Sequence, residues 1–98
     1  AVNELLKVKD QLPTLTIETC GIYLYFTDRD IPDGYTLLKA YPPIRNSSNC
    51  NYLWECLKLC TINIVSSGHA STDLSVKFLE EGSFKKAVSG VNSLGHSL

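Results

Sequence analysis

The chain has little of what identifies nucleic-acid-binding, membrane or secreted proteins. Its 98 residues carry nine Lys and Arg against ten Asp and Glu, which gives a formal net charge of −1. A protein that binds nucleic acid directly generally shows a basic excess, because each phosphate contact needs a cation. No apolar run approaches the ~20 residues of a membrane span, and no signal-peptide pattern is present. We therefore expect neither a direct nucleic-acid partner nor a membrane partner.

The chain also lacks methionine and begins with Ala-Val-Asn-Glu. We expect it to be a processed chain or a fragment of a longer one. Its length fits one domain, residues 1–98. A hydrophobic fraction of 44 % with 19 % charged residues excludes a disordered chain.

No catalytic motif is apparent. A Gly-rich phosphate loop, a G-x-S-x-G elbow and an H-E-x-x-H motif are all missing. The acidic pairs Asp28/Asp30 and Glu80/Glu81 fall in predicted turns, where carboxylates are solvated rather than held in a cleft. His69 lies in a Ser/Gly loop and is not placed as a base for a nucleophilic cysteine. We predict a non-enzymatic protein with no catalytic residue, metal or cofactor.

The four cysteines leave three states open. They are Cys20, Cys50, Cys56 and Cys60. Cys56 and Cys60 share a face of either a helix or a strand, so they do not pair easily with each other, and free Cys in apolar runs acts as a small hydrophobe. Disulfides to distant partners, with a glycan on the Asn46 sequon, are the second state. A zinc site that includes His69 is the third, although a Cys-x-x-Cys pair is missing.

Alternating apolar residues predict several strands along most of the chain. Residues 3–12 fit either a helix or a short strand that ends at Pro13. Residues 14–28 form a predicted strand with a bulge or turn at Gly21, where the parity of the apolar residues slips. The other predicted elements are a strand at 35–41, a loop at 45–51, one or two strands at 52–67 with a helix at 51–58 as the alternative, a turn at 67–72 and a strand at 74–78.

The stretch DLSVKFLEEGSFKKAV, residues 73–88, changes period from two to 3.6. Leu74, Val76 and Phe78 alternate with polar residues, which predicts a strand. A helical face follows, with Ser83 as its N-cap and Gly95 at its C-terminal end. That face consists of Phe84, Ala87, Val88, Val91 and Leu94. We predict an α+β fold, mainly antiparallel β, in which a C-terminal amphipathic helix closes a small barrel or sandwich. An unrelated α+β domain whose helix covers a sheet is the alternative.

This order of elements resembles the pleckstrin-homology-like superfold. In particular, LTIETCGIYLYF, GYTLLKAY and LSVKFLEEGSFKKAVSGVNSL are similar to the PH-like domain of accessory proteins that promote meiotic DNA double-strand breaks. The lipid-binding members of the superfold use clustered cations, which this chain lacks. The resemblance therefore implies an adaptor or scaffold domain in a multiprotein assembly, with a role in meiotic DNA recombination.

The predicted partner is a protein that docks, as a peptide or a helix, on a strand edge or on the C-terminal helix. Aromatic side chains are over-represented in interface hot spots. The predicted contact residues are Tyr23, Tyr25, Trp54, Phe84, Val88 and Val91. We expect an intracellular location, nuclear if the meiotic resemblance holds. The alternative is a secreted, disulfide-stabilised binding or effector domain. The oligomeric state is left open.

Overall fold

Helices and 3₁₀ turns, rather than strands, make up most of the regular structure. The computed structural model describes residues 1–96, so the last two residues of the predicted domain lie outside the described part. The elements within those residues are α1 Val2–Lys9, β1 Glu18–Cys20, α2 Gly21–Tyr25, α3 Ser47–Lys58 and β2 Ile64–Ser66, with 3₁₀ turns at Asp28–Asp30, Thr36–Leu38, Leu74–Lys77 and Leu94–His96. None of the helices in this part has the length and hydrophobicity that a membrane crossing requires.

The two strands pair in parallel, with Glu18 opposite Ile64 and Cys20 opposite Ser66. α2 and α3 lie between them in the chain, so the unit is a β–α–β crossover rather than a hairpin. The predicted antiparallel PH-like barrel or sandwich is therefore wrong. Parallel strands are usually buried on both faces, and their sequences are therefore continuous apolar runs. Such runs do not show whether two strands pair in parallel or antiparallel, which is why the sequence did not indicate the direction of pairing.

Helix α3 packs against α2 and supplies part of the core. Cys56 lies with Ile17 and Ile62 in a buried cluster, against which α1 packs through Val2. Asn46 is the N-cap of this helix, and its Oδ1 accepts a hydrogen bond from the Asn49 amide at 3.1 Å. Such a cap satisfies one of the free amides of the first turn. Of the preferred strands at 52–67, only Ile64–Ser66 is a strand, and the loop at 45–51 contains the start of α3. The alternative helix at 51–58 lies within α3.

The parity slip at Gly21 marks a change from strand to helix rather than a bulge. Cys20 is extended, with φ −115° and ψ 151°, and the helix α2 follows at once. Ile22 and Leu24 are buried in it. The Leu24 carbonyl accepts from Cys50 Sγ at 3.0 Å, which ties α2 to α3. Of the strand predicted at residues 14–28, only Glu18–Cys20 is a strand in the structure.

The predicted strand at 35–41 is a 3₁₀ turn around Thr36, which is fully buried. The turn follows Gly34, whose φ of 81° starts a change of direction that a strand cannot contain. A Thr/Leu/Tyr-rich run has high β-propensity, but tertiary packing overrides that propensity here.

The predicted C-terminal helix is also absent from the described residues. Ser83 begins a single turn, in which the Ala87 amide donates to the Ser83 carbonyl at 3.0 Å. The chain then extends through Gly90, with φ 136°, to a parallel bridge between Val91 and His69. A helix cannot pass through that glycine conformation, so no helix closes a barrel.

Candidate functional site

The two parallel strands end side by side, and their ends define the candidate site. Cys20 is the last residue of β1, and its register partner Ser66 is the last residue of β2. In proteins built on parallel sheets, ligands bind beyond the carboxyl ends of the strands, because the loops that follow neighbouring strands converge there. The strand-end site therefore comprises these two residues and those that follow them, Gly21 and Ile22 after β1 and Ser67, Gly68 and His69 after β2.

A chain of hydrogen bonds joins the two strands at this edge. Ser66 Oγ donates to Glu18 Oε1 at 2.6 Å. Cys20 Sγ lies 3.4 Å from Ser66 Oγ. Because the hydroxyl hydrogen of Ser66 points at the carboxylate, the thiol is the donor in the second contact. Glu18 and Cys20 lie two residues apart and share a face of the sheet, so the chain of bonds fixes the register of the pair on that face.

Gly68 leaves room for the Cys20 thiol. Its φ of 59° lies in the left-handed region, where glycine costs least. A Cβ at this position would come within 2.7 Å of Cys20 Sγ and 2.8 Å of Cys20 Cβ. The loop after β2 therefore presents backbone, rather than a side chain, at this point of the site.

His69 ties a later part of the chain to the strand ends. Its Nδ1 accepts from the backbone N–H groups of Ser93 and Leu94, each at 3.1 Å. Ser93 Oγ donates to the Ser67 carbonyl at 2.7 Å. A parallel bridge also joins His69 to Val91. The chain around Ser93 thus runs alongside the loop that follows β2 and forms a further wall of the site.

Two lysines, Lys39 and Lys77, hold the chain that leads into this wall. Lys77 is 3 % exposed. Burial, and to a smaller extent the charge of Lys39, lowers the pKa of Lys77. Their acceptors are the carbonyls of Phe84 and Ala87 for Lys39, both at 2.5 Å, and those of Val88, at 3.0 Å, and Gly90 for Lys77. Ammonium groups therefore supply donors that helical amides would otherwise provide.

Carboxylates and other metal-ligand side chains do not converge in the described part of the chain. Residues 1–96 contain no group of three His, Cys, Asp or Glu side chains that could hold a metal ion. Asp30 Oδ2 accepts from the Thr27 amide at 2.7 Å and from its hydroxyl at 2.9 Å. The amide hydrogen bond lowers the pKa of Asp30, so this carboxylate caps a turn in its ionised form.

Three of the residues predicted to bind a partner lie on α2 and α3. The Tyr23 hydroxyl donates to the Pro42 carbonyl at 2.8 Å, and burial raises the pKa of that phenol. Tyr25 is 78 % exposed. Trp54 is half-buried, and its Nε1 donates to the Leu24 carbonyl at 2.9 Å. Trp54 therefore lies beside the backbone of α2, at the carbonyl of Leu24, the residue between the two tyrosines.

The other three predicted contact residues do not form one face. Phe84 and Val88 are partly exposed, whereas Val91 is buried beside His69. They lie on a turn and on extended chain rather than on a helix. A role in partner binding for all six residues stays a prediction.

The sequence reasoning missed Glu18, Ser66 and Gly68. A usable pattern was present, because a glycine follows each strand within two residues, in Cys20-Gly21 in one case and in Ser67-Gly68 in the other. Repetition of that ending predicts two equivalent strand-to-loop junctions, and in a parallel pair such junctions meet at one edge.

The chain is similar to curated allantoinases and dihydroorotases. It is 40 % identical over 88 residues to an Arabidopsis thaliana allantoinase, covering 90 % of this chain and 17 % of that protein. It is 39 % identical over 84 residues to a Saccharomyces cerevisiae allantoinase, covering 86 % of this chain and 18 % of the relative. A Pyrococcus horikoshii dihydroorotase is 39 % identical over 70 residues, covering 71 % of this chain and 16 % of the relative. The chain thus spans less than a fifth of the length of these relatives. No protein-family model matches it.

Solved D-hydantoinases share the fold of this segment. One from Thermus sp., also described as a dihydropyrimidinase, matches with a TM-score of 0.82 at 19 % identity, covering 98 % of this chain and 22 % of its own. A second D-hydantoinase matches with a TM-score of 0.81 at 25 % identity, covering 95 % and 21 %. D-Hydantoinases are TIM-barrel proteins of the amidohydrolase family.

These comparisons correct the functional predictions. The relatives are hydrolases, so the PH-like and meiotic resemblance is wrong, and so are the non-enzymatic adaptor and the role in DNA recombination. The relatives named above are enzymes rather than secreted, disulfide-stabilised binding or effector domains, and all four cysteines are free thiols in the structure. The apolar β-branched runs that suggested a PH-like barrel belong to a β–α–β unit.

Proposed function

We propose that the chain is part of a hydrolase that opens cyclic amides, with allantoin as the first substrate to test. The observation that carries the proposal is the 40 % identity to an Arabidopsis allantoinase over 88 residues. Allantoin, dihydroorotate and hydantoin, the compounds for which the relatives and neighbours are named, all contain a ring with an amide C–N bond. A shared bond type is consistent with one reaction class.

The exposure of the strands supports the proposal that this segment is part of a larger protein of the hydantoinase fold. Ile64 is 40 % exposed and Val65 is 51 % exposed, although both lie in a parallel strand. Parallel sheets are almost always covered on both faces, and a two-stranded sheet is at best marginally stable by itself. The strands therefore suit a place inside a larger parallel sheet, as in the TIM-barrel hydantoinases.

Amide hydrolysis needs an activated water. A bound metal ion can provide it by lowering the pKa of that water, and a general base can do so by taking its proton. The donor set at the strand-end site does not fit a metal. Glu18 Oε1 accepts from Ser66 and His69 Nδ1 accepts from two backbone amides, and these two side chains and Cys20 do not converge as a set of metal ligands. No catalytic step is therefore assigned to these side chains.

The test uses the full-length protein that contains this chain. It is incubated with allantoin, dihydroorotate and hydantoin at equal concentrations, and ring opening is measured as formation of the acyclic acid by chromatography. The Arabidopsis allantoinase serves as the positive control. We expect turnover of at least one substrate, with the highest kcat/KM for allantoin. A folded, metal-supplemented protein that opens none of the three rings would contradict the proposal.

We further propose an intracellular location. A relative from Aquarana catesbeiana is named as mitochondrial; it is 37 % identical over 92 residues, which cover 94 % of this chain and 19 % of the relative. The comparisons contain no support for the nuclear location that was predicted from the meiotic resemblance. Fractionation of cells that express the tagged full-length protein tests this, and recovery from the medium would contradict it.

A further inference from the structure

The hydrogen bonds of His69 fix which of its ring nitrogens carries a hydrogen. Nδ1 accepts two backbone N–H groups, those of Ser93 and Leu94, each at 3.1 Å. An acceptor nitrogen in a neutral imidazole has no hydrogen, so the hydrogen of His69 is on Nε2. Both donors belong to the backbone and cannot be reversed.

This arrangement is opposite to that of a histidine that binds a metal. A ligating histidine binds through one nitrogen and almost always donates the N–H of the other to a carbonyl, a carboxylate or a water. Binding through Nε2 would place the hydrogen of His69 on Nδ1, directly against the amides of Ser93 and Leu94. Binding through Nδ1 would displace both amides. Neither nitrogen is therefore available to a metal without loss of these contacts.

The other candidate ligands at this edge do not converge into a set of three in residues 1–96, and they are engaged in contacts of their own. Cys20 Sγ occupies the space where a side chain at Gly68 would stand. Ser66, its neighbour at 3.4 Å, points its hydroxyl at Glu18. The edge is thus occupied by contacts that hold the two strands and the following loop together.

We infer that His69 is a positioning residue rather than a metal ligand, and that the edge formed by the ends of β1 and β2 contributes no metal ligand to the active site. This inference rests on the proposed hydrolase function. His69 holds the backbone of Ser93 and Leu94 against the loop that follows β2 and so shapes the wall of the site.

Two isosteric substitutions of His69 separate the two roles. His69→Asn places its Oδ1 where Nδ1 stands and keeps the acceptor for the two amides, but it has no atom at the Nε2 position. His69→Gln places its polar end group near Nε2 and lacks the acceptor at Nδ1. A positioning residue is therefore replaced well by Asn and poorly by Gln, whereas a ligand that binds through Nε2 shows the reverse order.

The experiment measures bound metal by elemental analysis, kcat and KM with allantoin, and thermal stability in the full-length wild type and both variants. We expect the same metal content in all three proteins. We expect near-wild-type kinetics for His69→Asn, and about a tenfold higher KM with little change in kcat for His69→Gln, because the loss of positioning acts on substrate binding. The Asn variant should also melt closer to the wild type than the Gln variant.

The contrary outcomes are distinct. Loss of metal from His69→Asn, with retention in His69→Gln, would overturn the inference, and so would equal stability and kinetics of all three proteins. Failure of the proposed function shows itself differently, as absence of ring opening in the wild type. The order of melting temperatures still decides the role of His69 in that case.

Discussion

Replacement of Lys77 by methionine should loosen the chain between Phe84 and Val91. Lys77 is 3 % exposed, and its Nζ donates to the carbonyls of Val88 and Gly90. Lysine is almost never buried to this extent unless it is paired. Its partners here are carbonyl dipoles rather than a carboxylate. Methionine has a similar length and fills the same space, but it cannot donate a hydrogen bond.

The magnitude follows from two opposing effects. A buried carbonyl that loses its donor costs about 1–3 kcal/mol, and Lys77→Met removes the donor from two. The substitution also removes the cost of burying an ammonium group beside Lys39, which offsets part of that loss. We expect a net cost of about 2 kcal/mol for local opening, which corresponds to about a thirtyfold larger open population.

The pH dependence has a definite sign. Burial, followed by the charge of Lys39, lowers the pKa of Lys77 from its ordinary value of 10.5. The folded protein therefore binds this proton less firmly than the unfolded chain, and the resulting destabilisation is complete at pH values below the folded pKa. It is relieved as the pH rises from the folded pKa to 10.5, since the unfolded state then binds more protons. The stability advantage of wild type over Lys77→Met should grow across that window.

Hydrogen–deuterium exchange of the full-length protein provides a local readout. The Val88 amide donates to the Val76 carbonyl at 3.0 Å, and the Gly90 amide donates to the Lys39 carbonyl at 2.9 Å. Both amides should exchange about thirtyfold faster in the variant at neutral pH, after correction for intrinsic rates. Exposed Lys85 supplies the control, because Lys85→Met should leave both amides unchanged. Equal protection in Lys77→Met and wild type would refute the reasoning.

Two further predictions concern turns and thiols. Gly82→Ala should lower the melting temperature by several degrees, because a Cβ at φ 60° would lie 2.9 Å from Gly34 Cα. Gly95→Ala is the control, since a Cβ there would have nothing within 4 Å and the residue has no positive φ. Equal shifts of the melting temperature in the two variants would contradict the prediction. Alkylation of denatured, unreduced protein followed by mass spectrometry should label four cysteines, with Cys60 modified first in the native state since it alone among them is exposed, whereas recovery of a disulfide-linked peptide would disprove the free-thiol assignment.

Sequence patterns located some elements but misjudged how they combine. Residues 18–20 and 64–66 do lie within predicted strands, yet the period-two pattern cannot distinguish parallel from antiparallel pairing. Helix α3 is capped by Asn46, a strong N-cap residue in a stretch whose Ser and Asn content favoured a loop. Helix caps and loops are built from the same residue types. Only the apolar residues that follow Asn46 could distinguish the start of a helix from a loop.

The C-terminal misassignment has a tertiary cause. Phe84, Val88 and Val91 do recur at helical spacing, and Ser83 does cap a turn. The turn is not continued, because Lys39 and Lys77 satisfy the carbonyls that helical amides would need. Lys39 lies 48 residues before Ala87, so no local window contains that contact. Lys77 lies within the stretch 73–88, but its residue type alone does not show that it turns back onto the carbonyl of Val88.

The strand-end site was hidden for a related reason. Glu18 and Ser66 are 48 residues apart, and only the parallel register of β1 and β2 brings them within 2.6 Å. His69 was considered from the sequence as a zinc ligand or a base, because its residue type suggests both. What decides its role is the direction of its hydrogen bonds, and that direction depends on the backbone around Ser93.

The shape of the segment links its stability to its function. Its Cα radius of gyration is 15.1 Å, and its longest extent is 47 Å, whereas a compact domain of 100 residues has a radius of about 13 Å. The exposed Ile64 and Val65 lie on the same short strand that ends at the candidate site. Neighbouring strands that covered them would stabilise β2 and complete the walls of the site in one step. Both His69 variants should therefore be compared in the full-length protein, because the geometry that separates positioning from ligation depends on a rigid β2.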